Sequence, residues 1–260
     1  MSQPASRPLI LVTNDDGITA PGIRNLVESI ADLGDVVVVA PNSHQSGMGH
    51  AITISNILKM WPHDFGMEGV RAYKTSGTPV DCVKLAIYKI LDRKPDILLS
   101  GINHGSNSSI NVIYSGTMSA AVEGALEGIP SVGFSLCDFA EDADFRGACR
   151  AVRTVTEKVL KEGTPKGTCL NVNIPKVAPE ALKGLRICRQ AAGHWADSFE
   201  ERAAPGGRPY YWMTGSFTDV DSGEDTDEWA LRHGYVSVVP VQYDLTAHNA
   251  MAELNQWLCL

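Results

Sequence analysis

The stretch Leu9-Ile10-Leu11-Val12-Thr13-Asn14-Asp15-Asp16-Gly17 decides the fold. Its first part is a continuous apolar run, the pattern of a strand covered on both faces. The polar tetrapeptide after it reads as a turn. Beyond that turn Ile23, Leu26, Val27, Ile30 and Leu33 recur at helical spacing, with Pro21 near the start and Gly34 as the stop. Val36-Val37-Val38-Val39-Ala40 then supplies a second buried strand. A strand, a helix and another strand in this order imply a parallel pair joined by a helical crossover.

The same alternation continues outward. Thr78-Pro79-Val80-Asp81 opens a helix with Thr78 as N-cap, Pro79 at the first helical position and Asp81 at the third. Val80, Val83, Ile87 and Ile90 form its inward stripe. Asp96-Ile97-Leu98-Leu99-Ser100 reads as a strand, Thr117 to Leu126 as an alanine-rich helix closed by Gly128, Ser131 to Leu136 as a strand, and Phe145 to Leu160 as a helix. The expected fold is therefore α/β, a Rossmann-like three-layer parallel sheet with helices on both faces.

The last third carries a different pattern. Leu170 to Ile174, Leu185 to Cys188, Tyr210 to Met213 and Val236 to Val239 are strand-like, with no convincing helices between them, and the last ends at Pro240. Residues around Gly193 to Gly207 and Asp219 to Asp227 are polar and glycine-rich and read as loops. Thr246 can cap a final helix carrying Met251, Leu254 and Leu258. The expectation is one domain over residues 1–260, with a core at about 8–190 and a β-rich C-terminal extension and terminal helix at about 191–260.

Composition narrows the function. The chain has 260 residues, 44% hydrophobic and 20% charged, which argues against a disordered polymer. Its formal charge is −8 and no Lys/Arg block stands out, which disfavours binding to a nucleic-acid backbone. No apolar stretch approaches the ~20 residues that span a bilayer, so no membrane partner is expected. The opening residues lack a basic-then-apolar leader. The six cysteines are scattered without a C-x-x-C pair and read as reduced thiols of a cytoplasmic protein. There is no G-x-x-x-x-G-K-[ST], no G-x-S-x-G and no complete G-x-G-x-x-G, which removes support for a P-loop NTPase, a serine hydrolase and a nicotinamide dehydrogenase.

In an open parallel sheet, ligands bind beyond the carboxyl ends of the strands. The first strand runs into Asn14-Asp15-Asp16-Gly17 and the second into Pro41-Asn42-Ser43-His44-Gln45-Ser46-Gly47. The third runs into Gly101-Ile102-Asn103-His104-Gly105-Ser106-Asn107, followed by Tyr114-Ser115-Gly116-Thr117 at a helix start. An Asp-Asp-Gly taken alone is a solvated turn. At a strand exit the paired carboxylates repel each other, and a divalent cation resolves the conflict. The partners at hand are oxygens: Asp15, Asp16, the Ser46 hydroxyl and the Asn103 amide. Such a set suits a hard ion such as Mg²⁺ or Mn²⁺. Ser115-Gly116-Thr117 is either an ordinary N-cap or a phosphate cradle at a positive helix end. Asn14, Asn107, Ser115, Gly116 and Thr117 are the candidates for holding a phosphate, while Asn107 in its Gly/Ser loop also reads as a turn former. His44, His50 and His104 flank these loops and read first as loop histidines.

These pieces together resemble the SurE (survival protein E) nucleotidases. The matching segments run in order: Asn14 to Gly17, Ala40-Pro41 through Ser46-Gly47, Gly77 to Cys82, Ser100 to Asn107 and Tyr114 to Thr117, then Asn171 to Pro175, Gly234 to Ser237 and Asp244 to Ala247. The resemblance implies a metal-dependent phosphatase acting on nucleoside 5′- or 3′-monophosphates. It implies one divalent metal per subunit, held by Asp15, Asp16, Ser46 and Asn103, with Asp15, Asp16 and Asn103 as the catalytic residues. It also implies a homodimer or homotetramer in which an extended β-hairpin and the C-terminal helix pack across subunits. An activated water attacking phosphorus in line, with Asp15 orienting it, is the expected route; attack by an Asp carboxylate is the competing one. Two other classes stay open: a sugar-nucleotide transferase using the same carboxylates and metal, and a non-catalytic nucleotide-binding stress protein.

Overall fold

The apolar opening run folds as β1 (Leu9–Thr13), every residue of it buried. After the Asn14–Gly17 turn the chain enters α1 (Pro21–Ile30), whose Pro stands at the start as expected and whose Ile23, Leu26, Val27 and Ile30 are buried. The next strand is β2 (Asp35–Pro41). The computed structural model describes residues 7–258.

Between β2 and the Thr78 helix the chain forms two strands that alternation of apolar residues does not reveal, β3 (Met60–His63) and β4 (Arg71–Thr75). The helix α2 (Pro79–Leu85) starts with the expected Thr78 cap. Thr78 Oγ1 accepts from the Asp81 N–H at 3.1 Å and the Asp81 carboxylate accepts from the Thr78 N–H at 2.9 Å, a reciprocal capping box. A π-helical turn over Ala86–Ile90 carries the helix on. Then follow β5 (Ile97–His104), a 3₁₀ turn at Ser109–Ile113, α3 (Gly116–Leu126), β6 (Ser131–Leu136), α4 (Arg146–Glu162) and β7 (Thr168–Ile174). The rest comprises β8 (Leu185–Ile187), β9 (Gly193–Ala203), β10 (Pro209–Asp219), α5 (Asp227–Arg232), β11 (Val236–Gln242) and α6 (His248–Leu258).

The main sheet runs β3-β4-β2-β1-β5-β6-β7-β11-β8. From β4 to β7 every neighbouring pair is parallel, while β3 and β11 enter antiparallel. β1 thus has β2 on one side and β5 on the other. That is the point where the winding direction reverses, and the crevice above it is where such sheets bind ligands.

Alternate residues of the central strands serve two cores. Ile10, Val12, Val36, Val38, Ile97 and Leu99 pack with α1 and α4, whereas Leu9, Leu11, Val37, Val39 and Leu98 pack with α2 and Ala120 of α3. These are the three layers. Each such aliphatic side chain, fully removed from water, contributes about 1.5–3 kcal/mol.

Three expectations for the last third need correction. Gly193 to Gly207 is not a loop: Gly193–Ala203 is β9, paired antiparallel with all of β10 in a two-stranded ribbon. Its charged, polar sequence hid it, because the ribbon covers no core and most of its residues are exposed on both faces. A helix does occur, α5, with Thr226 capping Trp229 N–H at 3.1 Å. Finally, Pro240 does not end its strand. β8 pairs with β11 only through Val238, so Pro240 sits where that side has no ladder for it to break.

Candidate functional site

The exits of β1 and β5 meet at the reversal point. Thr13 is in register with Ser100, so Asn14, Asp15 and Asp16 leave β1 beside the segment that leads to Asn103. β5 contains a bulge here: Ser100 pairs with Gly133, but the next pair is Asn103 with Ser135. The extra residue re-phases the alternation, which lets Ile102 join the α1 and α4 core with Ile97 and Leu99. Gly101 has φ +128° and a cis peptide to Ile102, and a Cβ there would lie 2.3 Å from the Phe134 carbonyl oxygen. Gly22 of α1 is equally constrained, because its Cβ would stand 1.9 Å from the Ile102 carbonyl oxygen.

Asp15 is only 3% exposed. Its Oδ1 accepts a short hydrogen bond from the Thr117 hydroxyl. Burial pushes its carboxyl pKa up; the Thr117 bond opposes this and the neighbouring Asp16 charge adds to it. Asp16 accepts from the His104 backbone N–H at 3.2 Å and pairs with His44 Nδ1 at 3.3 Å. That bond brings the second carboxylate against the residue next to Asn103. Asn103 donates its amide nitrogen to the carbonyls of Gly105 at 2.8 Å and His104 at 3.3 Å, which leaves its side-chain oxygen as the group for another partner.

Ser46 lies in the exposed loop after β2. The backbone around it is pinned from both sides: Gln45 N–H donates to the Asp15 carbonyl at 2.7 Å and Gly49 N–H to the Tyr114 carbonyl at 3.2 Å. Further along, His50 Nε2 meets the buried Glu123 carboxylate of α3 at 2.9 Å, and Glu123 also pairs with Lys84 of α2. His50 and Lys84 hold the Glu123 carboxyl below its usual range, the His50 bond being the largest cause.

The phosphate set falls into two groups. Ser115 is an N-cap, its Oγ accepting from Met118 N–H at 3.0 Å. The Gly116 and Thr117 amides then head the helix without intrahelical partners, and both residues adjoin Asp15. A Cβ on Gly116 would be 2.8 Å from Asp15 Cβ and 3.0 Å from Asp15 Oδ2. Asn14 is fully buried, with its amide nitrogen on the Gly17 carbonyl at 2.9 Å and its oxygen without a hydrogen-bond partner among the described residues. Asn107 is more committed than its loop sequence suggests. Its side chain donates to Ser135 Oγ at 2.8 Å, its N–H to Asn173 Oδ1 at 2.8 Å, and its carbonyl accepts from Asn171 Nδ2 at 2.8 Å. One N–H of its carboxamide remains.

With this geometry in hand, the relatives can be compared. A family model described as Survival protein SurE matches residues 10–197. The chain belongs to the SurE family. It is 59% identical over 259 residues to the 5′-nucleotidase SurE of Christiangramia forsetii, spanning 96% of this chain and 97% of that one. The 5′-nucleotidase SurE of Phocaeicola vulgatus is 47% identical over 252 residues, with 96% and 97% covered. Among solved structures, the Sure protein from Aquifex aeolicus superposes with a TM-score of 0.82 at 40% identity, covering 96% of this chain and 99% of that one. The SurE fold is therefore the Rossmann-like arrangement described above.

Residues that support the site but escaped the sequence reading are Lys84, Glu123, Ser135, Asn171 and Asn173. Glu123 had a usable signal: it lies among Ala120, Ala121, Gly124 and Ala125 on the buried side of α3, where an acid needs partners. The Asn171-Val172-Asn173 alternation of β7 likewise puts two amides on one face of a buried strand. No helix among the described residues is long and apolar enough to cross a membrane.

Proposed function

We propose that this chain is a divalent-metal-dependent 5′-nucleotidase that hydrolyses nucleoside monophosphates, 3′ as well as 5′, to nucleoside and phosphate. The observation that carries the reading is the meeting of the Asp15 and Asp16 carboxylates with the Asn103 stretch, against the N-terminus of α3. Curated relatives named 5′-nucleotidase, matched over nearly the whole chain, support the same reaction.

The donor chemistry fits a hard cation. Among the described residues no three His, Cys, Asp or Glu side chains converge, so neutral oxygens must complete any coordination shell. Asp15 is a buried acid whose ionised form lacks water, and the Asn103 oxygen is left over once its nitrogen is tied down. Asp15, Asp16, Ser46 and Asn103 would hold one Mg²⁺ or Mn²⁺ per subunit. When bound, such an ion supplies charge to a phosphate oxygen and lowers the pKa of an adjacent water.

The chain's own groups do the rest. The Gly116 and Thr117 amides and the spare N–H of Asn107 bind non-bridging phosphate oxygens, which gather charge in the transition state. Thr117 donates to Asp15, which favours the ionised form against the effect of burial and orients the carboxylate so that it can direct a water toward phosphorus. His104 holds Asp16 through its backbone.

The reading extends to a cytoplasmic homodimer or homotetramer. Its support is the exposure of apolar residues on the ribbon, Phe199, Tyr211, Trp212 and Met213, and on α6, which buries none of its residues. The core and this extension form a single functional unit in that assembly.

The decisive assay measures phosphate release from a panel of nucleotides with Mg²⁺, Mn²⁺ or chelator. Turnover of monophosphates that chelator abolishes is expected, and Asp16→Asn should lose at least a hundredfold in kcat/KM while melting like the parent. Transfer only in the presence of an acceptor would indicate a transferase; nucleotide binding without turnover under every metal would overturn the enzyme reading.

A further inference from the structure

The turn that carries Ser46 has little to hold it in itself. Ser46, Gly47 and Met48 are exposed, and the backbone passes through Gly47 at φ +74° and Gly49 at φ +54°. Glycine loses more conformational freedom than other residues when it is fixed. A Cβ on Gly47 would meet nothing within 4 Å, so no neighbouring atom leans on that position.

The residues after the turn are fastened to α2. Thr53 donates its N–H to Asp81 Oδ1 at 3.0 Å and its hydroxyl to Oδ2 at 2.6 Å, while the Ala51 carbonyl accepts from Thr78 Oγ1 at 2.8 Å. Before the turn, Gln45 N–H reaches the Asp15 carbonyl at 2.7 Å. Between these fixed points, His50 is the one side chain of residues 46–50 that makes a hydrogen bond among the described residues.

Its partner, Glu123, is 4% exposed and stands on α3, about two turns beyond Gly116. The Glu123 carboxyl is held below its usual range, so it is an acceptor at neutral pH and His50 Nε2 donates the 2.9 Å bond. That bond uses Oε2. The other oxygen, Oε1, takes the Lys84 ammonium, which has no hydrogen bond to the loop among the described residues.

The same helix therefore meets both sides of the metal set. Its first turn abuts Asp15 through Gly116 and the Thr117 hydroxyl, and its Glu123 grips the segment that brings Ser46. A metal ligand is only as well placed as the groups that orient it, and losing such a group lowers metal affinity by roughly ten- to a hundredfold. We propose that His50 is a positioning residue: its bond to Glu123 seats the Ser46 loop on α3 and presets the Ser46 hydroxyl for the cation that Asp15 and Asp16 would hold. The proposal rests on the reading of Ser46 as a metal ligand.

The test uses the full-length protein and two readouts that need no turnover: Mn²⁺ binding followed by electron paramagnetic resonance, and hydrogen exchange of the 46–50 amides without metal. His50→Ala should weaken Mn²⁺ binding roughly ten- to a hundredfold, about as much as Ser46→Ala does, and should quicken the exchange. His50→Gln, whose side-chain N–H can take the place of Nε2 on Glu123, should restore both. Lys84→Met separates positioning from stability: it should unfold at lower urea, because it strips a partner from a buried carboxylate, yet keep the parent's Mn²⁺ affinity. Unchanged Mn²⁺ affinity or unchanged exchange in His50→Ala would overturn the proposal, as would an equal loss of affinity in Lys84→Met or no recovery in His50→Gln. Unchanged affinity in Ser46→Ala is a different result: it would take Ser46 out of the metal site, and the proposal would fall with that reading.

Discussion

Gly116→Ala places a methyl group where the side chain of Asp15 already stands. The new carbon would lie 2.8 Å from Asp15 Cβ and 3.0 Å from Oδ2. Nonbonded carbons settle at ~3.5–4.0 Å, so the start of α3 and the exit of β1 must part by roughly 1 Å. Neither side yields easily: Asp15 Cβ belongs to a short, buried side chain held by Thr117, and α3 is pinned by its Ser115 cap. A misplacement of about 1 Å in a catalytic constellation costs on the order of a hundredfold in rate. Stability should suffer far less, because overpacking of about 1–3 kcal/mol is partly offset by alanine's better helix propensity, up to ~1 kcal/mol. The expected result is a kcat/KM for AMP about a hundredfold lower with Mn²⁺ present, and a melting temperature within a few degrees of the parent. Near-normal phosphate release from a normally folded Gly116→Ala protein would refute the claim that α3 and Asp15 act as one anion-and-metal platform.

Two further outcomes follow from the loops around that platform. Glu123 has its folded pKa depressed below 4.5 by His50 and Lys84, so its contribution is complete above that value and vanishes as pH falls through the folded pKa. Glu123→Gln should therefore cost about 2 kcal/mol in urea unfolding at pH 7, with the gap to the parent closing as pH falls through the depressed folded pKa; a gap independent of pH would contradict the assignment. Thr78→Ala removes a cap that both accepts from Asp81 and donates to the Ala51 carbonyl at 2.8 Å, and should lower stability by about 1 kcal/mol, or roughly 2–4 °C in melting temperature by calorimetry.

The central strands and their helices could be read in the sequence because burial on both faces forces unbroken apolar runs such as Val36–Val39, and because caps such as Thr78-Pro79 mark helix starts. The candidate metal residues could be named for a related reason: Asp15, Asp16 and Ser46 come after apolar strand runs, although Asn103, read as lying beyond its strand, falls within β5. What stayed hidden lacks a core to report on. β9 pairs only with β10 and faces solvent, so it does not show the alternation of a half-buried strand, and of β10 only the aromatic Tyr210 to Met213 read as one. β3 and β4 lie at the sheet edge with Pro62 among their residues, and they carry charged and aromatic side chains that read as loop. The partners of Asn107 escaped because they come from β6 and β7, whose polar residues are meaningful only once those strands are neighbours. Glu123 was overlooked because His50 and Lys84 are distant in sequence.

The close fit of Gly22 against the carbonyl of Ile102 has a bearing on how this protein could be diversified. Random libraries aimed at new substrates usually spare the residues around bound ligand and treat a glycine on a distant helix as free to vary. Here that glycine holds the kinked end of β5 in place, and any larger residue would push the Asn103 loop out of line without touching it. Variation is better spent on the exposed ribbon, with positions 22 and 101 kept as glycine.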